Sequence, residues 1–212
     1  MAFKYNWENT AIPPENPKNT ASAFSQWVYK ESHHYSNTNT SSSFENKLQG
    51  RRAHLAIDNF FRMSWAEKYL DSDDLSEWII EHTEGDARSG VYYRASRLQI
   101  NGKPVHCSPD LILRHKTKDQ VLIIERKTTF VPIYKIPENG WPNVQAQLWC
   151  YSWMDCVADA NEVILIGQLW QNQRNGTLIM CDEHSLWKRD DKEFHDRCLS
   201  WFKTYGGEFM NL

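Results

Sequence analysis

The fold is decided by the stretch Val121-Leu122-Ile123-Ile124-Glu125-Arg126-Lys127, in which an apolar run ends on charged residues. Such a run, bounded by turn residues, predicts a buried β-strand. Ser108-Pro109-Asp110 lies on the other side of the predicted turn Lys116-Thr117-Lys118-Asp119. In an antiparallel hairpin centred on that turn, Asp110 and Glu125 face each other, with Cβ atoms roughly 5 Å apart.

Opposed carboxylates repel each other unless a cation lies between them, and a divalent ion is the simplest such cation. Glu125 and Lys127 project from the same side of the strand. The pattern therefore predicts a Mg²⁺ or Mn²⁺ site made by Asp110 and Glu125, with Lys127 beside it. There the ammonium could hold or help to deprotonate a water, or neutralise a phosphoryl oxygen. The alternative is a structural salt bridge between Lys127 and one of the carboxylates.

A predicted helix supplies a third candidate ligand. Gly50 and His54 are one helical turn apart on one face. A glycine within a helix costs about 1 kcal/mol relative to alanine, so Gly50 indicates the close approach of another group. The His54 imidazole favours Mn²⁺ over Mg²⁺, and Asp58 could hold its second ring nitrogen. Taken alone, a helical histidine is more often a plain surface or core residue.

A later helix carries Gln147 and Tyr151 on a shared face, because they are one turn apart. An amide and a phenol hydroxyl make good contacts to phosphate or sugar, and such contacts position a strand without reading its sequence. The alternative is an ordinary polar stripe.

The hydrophobic patterns predict a mixed α/β order of helices, three strands, a helix, two strands and a final helix. Helices are predicted at 21–31, from a capping box at Ser42 and Glu45 onward, and at 73–83, 142–160 and 190–205. Strands are predicted at 91–100, 105–114, 120–127, 162–171 and 177–182, with a hairpin turn at Asn101-Gly102. Residues 1–20 are expected to form an irregular arm, followed by one domain over 21–212.

Composition narrows the class of protein. The chain has 212 residues, of which 41% are hydrophobic and 24% charged, as is ordinary for a globular fold. Ten tryptophans indicate an aromatic interior. No apolar run reaches the roughly 18 residues that a membrane helix needs, and the polar start lacks the core of a signal peptide. We therefore expect a cytoplasmic protein without membrane contact.

The net charge of −3 gives no general nucleic-acid signature. Contacts with a nucleic acid would therefore need local basic clusters, each of which could equally be a plain solvated face. Two such clusters are Lys47, Arg51 and Arg52, and Arg88, Arg94 and Arg97.

Together and in this order, the motifs resemble the PD-(D/E)xK nuclease superfamily, and above all the RecB-like exonucleases and their CRISPR-associated relatives. The motifs are Gly50-x-x-x-His54, Ser108-Pro109-Asp110, Glu125-x-Lys127 and Gln147-x-x-x-Tyr151. The resemblance covers about Ala21 to Trp153. It implies a restriction-endonuclease-like core, in which helices flank a central mixed β-sheet, with a helical N-terminal part.

The resemblance also implies roles. His54, Asp110 and Glu125 would hold one or two Mg²⁺ or Mn²⁺ ions, together with the main-chain carbonyl of Arg126. Lys127 would be the essential lysine. Gln147 and Tyr151 would steady the scissile strand or Lys127, and Arg51 and Arg52 would contact DNA.

The implied activity is hydrolysis of phosphodiester bonds in DNA, with an exonuclease acting on ends preferred and an endonuclease left open. Recombination, repair, phage replication and defence all stay open as pathways. The partner is DNA, and a homo-oligomer or a protein complex is also open.

One departure concerns cysteine. Many members of this branch tie an early cysteine to a C-terminal cluster in an iron–sulfur site, but the early region 27–32 has none. No CxxC pair occurs among Cys107, Cys150, Cys156, Cys181 and Cys198. We therefore expect no iron–sulfur cluster, and reduced thiols that are mostly buried.

Two other functions compete with the nuclease. The first is an inactive member of the fold that binds DNA or a protein partner; against it, all four motifs are kept. The second is a metal-independent RNA-binding module, suggested by the aromatic residues. Against the second stand the acidic net charge and the lack of an aromatic RNA-binding strand motif.

Overall fold

The computed structural model describes residues 7–32, 77–83, 92–129, 140–172, 178–180 and 185–210. Three helices lie within these ranges: α1 (Ala21–Ser32), α2 (Pro142–Tyr151) and α3 (Lys192–Tyr205). The first five strands are β1 (Trp78–Thr83), β2 (Tyr93–Ile100), β3 (Lys103–Cys107), β4 (Leu111–His115) and β5 (Gln120–Thr129). The others are β6 (Glu162–Asn172), β7 (Leu178–Met180), β8 (Ser185–Lys188) and β9 (Gly207–Phe209).

The large sheet is mixed, and the predicted α/β class is confirmed. Its strands run in the order β1-β4-β5-β6-β7, and β8 also pairs with β6. The β5–β6 pair is parallel, whereas β1–β4, β4–β5, β6–β7 and β6–β8 are antiparallel. The parallel pair is buried on both faces, which explains why its strands read as nearly continuous apolar runs.

A second sheet has the order β3-β2-β9. The turn between β2 and β3 is the predicted Asn101-Gly102, where both residues have positive φ angles of 51° and 70°. Those angles are what a two-residue hairpin turn requires. The strand β9 was not predicted from the sequence, because three residues are too few to give a period-two pattern.

The prediction of a single strand over 105–114 is wrong. The segment is divided between β3, in the small sheet, and β4, in the large one. The division falls at Ser108-Pro109-Asp110, where Pro109 has no N–H with which to continue a ladder. The chain therefore passes from one sheet to the other at this triplet.

The prediction of a helix over 73–83 is also wrong for its described part. Residues 78–83 form β1, an edge strand paired with β4, with an irregularity in register between Ile80 and His82. Branched side chains such as Ile79 and Ile80 suit a pleated strand better than a helix. Residues 73–76 lie outside the described ranges.

The helix predicted from 142 to about 160 ends at Tyr151. The following residues form successive turns because Asp155 is tied to β2. Its N–H donates to the Arg94 carbonyl at 2.7 Å, and its carboxylate accepts from the Ser96 N–H and hydroxyl at 2.8 and 2.7 Å. These contacts draw the chain off the helical path.

The main core lies between one face of the large sheet, the small sheet and the three helices. It is aromatic-rich, as the composition predicts, with Phe24, Trp27 and Phe202 among the buried residues. Residues 7–19 contain no helix or strand, yet Trp7 is buried against Trp27 and Trp201. The described part of the irregular arm is thus packed onto the domain. No helix in the described ranges has the length and apolar character to cross a membrane.

We expect Gly167→Ala to destabilise the protein by about 1–3 kcal/mol, because an added methyl group overpacks the interface between α2 and the sheet. A Cβ at this position would lie 2.8 Å from Val144 Cγ1. Urea unfolding measures the change. Adding Val144→Ala should recover part of the loss, so strictly additive effects would contradict this packing.

Candidate active site

The hairpin of β4 and β5 has the predicted register. Its ladder pairs Leu111 with Ile124 and Ile112 with Ile123. The next position along this register sets Asp110 opposite Glu125. The predicted register is therefore confirmed, and its continuation by one position makes the two carboxylate residues neighbours at one end of the hairpin.

Asp110 is held by a backbone contact. Its Oδ2 atom accepts a hydrogen bond from the Arg126 N–H at 2.6 Å. This contact lies just beyond the last pair of the ladder. The Asp110 carboxylate therefore accepts from a backbone N–H of β5 where, within the ladder, a carbonyl of β4 would accept. A bond between an ionised carboxylate and a backbone N–H is among the stronger kinds of hydrogen bond. Asp110 is thereby oriented by β5 itself.

Glu125 and Lys127 lie on the face of β5 that meets the helices. Val121 and Ile123 belong to the core on that side, whereas Leu122 and Ile124 belong to a second core on the opposite face. Because side chains alternate along a strand, Glu125 and Lys127 share the helix side and Arg126 lies on the other.

The Lys127 ammonium forms an ion pair with Glu125 Oε1. The Glu125 side chain is 3% exposed and that of Lys127 is 29% exposed. A carboxylate this deeply buried needs a compensating positive charge. The salt bridge considered as the alternative for these residues is therefore present, and it keeps the ammonium beside the carboxylate pair.

Gln147 and Tyr151 face this same corner from α2. The Tyr151 hydroxyl donates to the Ser108 carbonyl at 2.9 Å, and the Gln147 amide donates to the Tyr151 oxygen. Both residues are buried, so they are not part of an exposed polar stripe. The contact joins α2 to the triplet that carries Asp110.

The pKa of Tyr151 depends on its burial and on the two acidic groups. Burial raises its pKa well above the usual range, and the negative charges of Glu125 and Asp110 raise it further. The phenol therefore stays protonated and continues to donate to Ser108.

A cleft of about 320 Å³ adjoins this corner. Three of its lining residues, Ser108, Gln147 and Tyr151, belong to motifs found in the sequence. The others were not singled out from the sequence, because they come from separate segments with no common spacing: Thr20, Ser22, Tyr92 and His106.

Several predicted site residues lie outside the described ranges: His54, Arg51, Arg52, Asp58, Lys47 and Arg88. Among the residues that the structure describes, no group of three or more His, Cys, Asp or Glu side chains is arranged to hold a metal ion. Arg94 and Arg97 are described on β2. The Arg97 guanidinium lies over the Trp153 ring, 5.6 Å from its centroid.

The oxygen atoms at this corner are of the type that hard divalent cations prefer. Asp110 and Glu125 offer carboxylate oxygens from adjacent strands, and Mg²⁺ commonly binds through one or two carboxylates while keeping several waters. The corner is also partly open, since Asp110 and Lys127 are only half-buried. These residues could therefore bind an ion together with a phosphate.

The described cysteines are free thiols. Cys107, Cys150 and Cys198 are buried and Cys156 is exposed, while Cys181 lies outside the described ranges. Burial raises the pKa of Cys107 and of Cys150 well above the usual value. These two thiols are therefore protonated and unreactive at neutral pH.

Comparison with known proteins gives little. No protein-family model matches the sequence, and no curated protein matches it either. Among solved structures, the chain is similar to one described as "Crystal structure of SSO0001". The TM-score is 0.40 at 15% sequence identity, over 93% of this chain and 81% of that one. A likeness at this level carries no argument about family or activity.

We expect Tyr151→Phe to change how stability depends on pH. Because the pKa of Tyr151 is higher in the folded than in the unfolded protein, its contribution is complete below about pH 10 and is lost as pH rises towards the folded value. The free energy of unfolding should therefore fall less steeply between about pH 9 and 11 in Tyr151→Phe than in the wild type. Urea unfolding at each pH tests this, and parallel curves would contradict the burial of the phenol beside the carboxylates.

Proposed function

We propose that the protein is a metal-dependent deoxyribonuclease of the PD-(D/E)xK superfamily, with a restriction-endonuclease-like core. One observation carries the proposal: the hairpin register that ends at Leu111 and Ile124 brings Asp110 next to Glu125, and Lys127 is paired to Glu125. The hairpin of β4 and β5, the parallel strand β6 and the intervening helix α2 support the proposed core. Ions of Mg²⁺ or Mn²⁺, one or two in number, are the proposed cofactor.

The proposed ligands are Asp110, Glu125, His54 and the main-chain carbonyl of Arg126. An ion held there would polarise the scissile phosphate and lower the pKa of the attacking water. The Asp110 carboxylate is oriented for this task by its bond to the Arg126 N–H. A ligand fixed by a second contact loses less freedom when it binds.

Lys127 supplies positive charge where negative charge develops on the phosphoryl oxygens. An ammonium already positioned beside Glu125 stabilises that charge without a costly rearrangement. It can also orient the attacking water. Gln147 and Tyr151 have a positioning role, because they fix the Ser108 carbonyl and with it the start of β4.

DNA is the proposed substrate and partner, and cleavage from DNA ends is the preferred mode. The proposed contacts to the backbone are Arg51 and Arg52, with Gln147 and Tyr151 steadying the scissile strand. We propose a cytoplasmic protein that works alone, as a homo-oligomer or in a complex.

We expect Lys127→Ala to lower Mn²⁺-dependent degradation of linear DNA by at least about 100-fold, since it removes a charge that acts in the transition state. End-labelled linear DNA, with circular and nicked DNA alongside, gives the rate and separates exonuclease from endonuclease action.

Lys188→Ala is the matched control. Lys188 forms an ion pair with Glu162 on the same sheet, and its side chain is 55% exposed. Losing this surface pair should leave cleavage unchanged. Activity that survives Lys127→Ala, or that falls equally in both variants, would overturn the assignment of Lys127.

The second candidate is a fold member without turnover that binds DNA or a protein partner. The ion pair between Lys127 and Glu125 favours it, because that contact also serves a purely structural purpose. The two candidates differ in their need for metal.

We expect calorimetry to show Mn²⁺ binding to the wild type and its loss in Asp110→Asn and in Glu125→Gln, because each change removes a charged ligand. Glu162→Gln, on the neighbouring strand, is the control and should bind as the wild type does. Absence of any binding that depends on Asp110 and Glu125 would favour the inactive scaffold.

A further inference from the structure

The cleft beside the carboxylates has fixed walls. One part of its lining is the start of α1, where the Thr20 hydroxyl accepts a hydrogen bond from the Ala23 N–H at 3.2 Å. The adjoining part is β3, whose His106 N–H donates to the Asn19 carbonyl at 2.9 Å. The Asn19 amide also donates to the Pro104 carbonyl at 2.9 Å. These bonds hold the start of α1 against β3.

The floor of the cleft belongs to the candidate active site. Ser108, Gln147 and Tyr151 line it, and the first and last of these are joined by a hydrogen bond. Ser108 precedes Asp110 by two residues. A strand whose backbone passes the carboxylates therefore has this cleft directly beside it.

The lining has the chemistry of a nucleobase site. Within the part of the chain that the structure describes, seven residues line the cleft; they supply hydroxyl groups, an amide, an imidazole and phenol rings, and none of these seven is Lys, Arg, Asp or Glu. Uncharged donors and acceptors of these kinds can form hydrogen bonds with the edge of a base. At the rim, Tyr92 is 63% exposed and offers an aromatic face. Aromatic faces of this kind hold single-stranded nucleic acids by stacking.

We propose that this cleft holds one unpaired base of a DNA strand, stacked against Tyr92, while the adjoining phosphate lies at Asp110 and Glu125. The inference rests on the proposed nuclease function and deepens it. A volume of about 320 Å³ is at the small end of the range for ligand pockets and is enough for one base. A base inside a duplex must leave its stack to enter such a pocket. The preferred substrate is therefore single-stranded DNA or a frayed end.

The test measures binding of a short single-stranded oligonucleotide by fluorescence anisotropy, with Ca²⁺ in place of Mn²⁺ to prevent cleavage. An abasic site is moved along the oligonucleotide one position at a time. We expect one position at which loss of the base weakens wild-type binding about 5- to 150-fold, the range for one stacked base. Tyr92→Ala should weaken binding of the intact oligonucleotide similarly and should be insensitive to the abasic site at that position.

Two further variants sharpen the test. Tyr29→Ala removes another exposed tyrosine, on α1 but outside the lining of the cleft, and should behave as the wild type does. Ser22→Trp should fill the cleft and reproduce the effect of Tyr92→Ala. A Tyr92→Ala variant that keeps the full abasic profile, or wild-type protein that does not bind the oligonucleotide, overturns the inference.

The outcomes separate this inference from the nuclease proposal. Cleavage that depends on Mn²⁺ and Lys127, with no coupling between Tyr92 and any base, would overturn the base-binding role of the cleft and would support the nuclease proposal. Coupling between Tyr92 and one base in a protein that never cleaves would support the cleft and overturn the nuclease.

Discussion

The main constraint on this structure is the buried carboxylate near the end of the central strand β5, which needs a compensating positive charge. Glu125 is almost fully buried, where water hardly reaches its carboxylate. The Lys127 ammonium compensates it along the same strand. The Asp110 carboxylate is stabilised in another way, because it accepts a hydrogen bond from the Arg126 N–H beyond the end of the ladder. Both acidic groups are therefore held by contacts with residues of β5.

The chain passes from the small sheet to the large sheet at the triplet that carries Asp110. Because Pro109 cannot continue the ladder, β3 and β4 separate there, and the side chain of Asp110 satisfies a backbone group that a continued strand would have satisfied. The Tyr151 hydroxyl then binds the Ser108 carbonyl and connects α2 to the turn. The helix α2 can reach Ser108 because it packs closely against Gly167 of β6. A larger residue at 167 would hold the helix away from the sheet. The cleft exists because the triplet turns between two sheets in front of a helix.

Features that depend only on residues close together in the chain can be predicted from the sequence. The apolar run in β5, the turn at Asn101-Gly102 and the equal distances of Asp110 and Glu125 from their turn are all local, and the structure agrees with each. The sequence predicts a helix where the structure has the strand at 78–83, because periodicity over a few residues does not separate the two. The end of α2 at Tyr151 could not be read either, because the contacts of Asp155 with Arg94 and Ser96 that end it come from a strand far away in the chain.

The sequence alone determined the α/β class and the register of the β4–β5 hairpin, and with it that Asp110 and Glu125 hold opposed positions. It could do so because a two-residue period and a symmetric turn fix which side chains face each other. Only the tertiary structure decided that Asp110 binds the Arg126 N–H, that Tyr151 binds the Ser108 carbonyl, and that Tyr92 and His106 line one cleft. These arrangements join segments distant in the chain, and their geometry comes from the packing of helices on two sheets rather than from any local pattern.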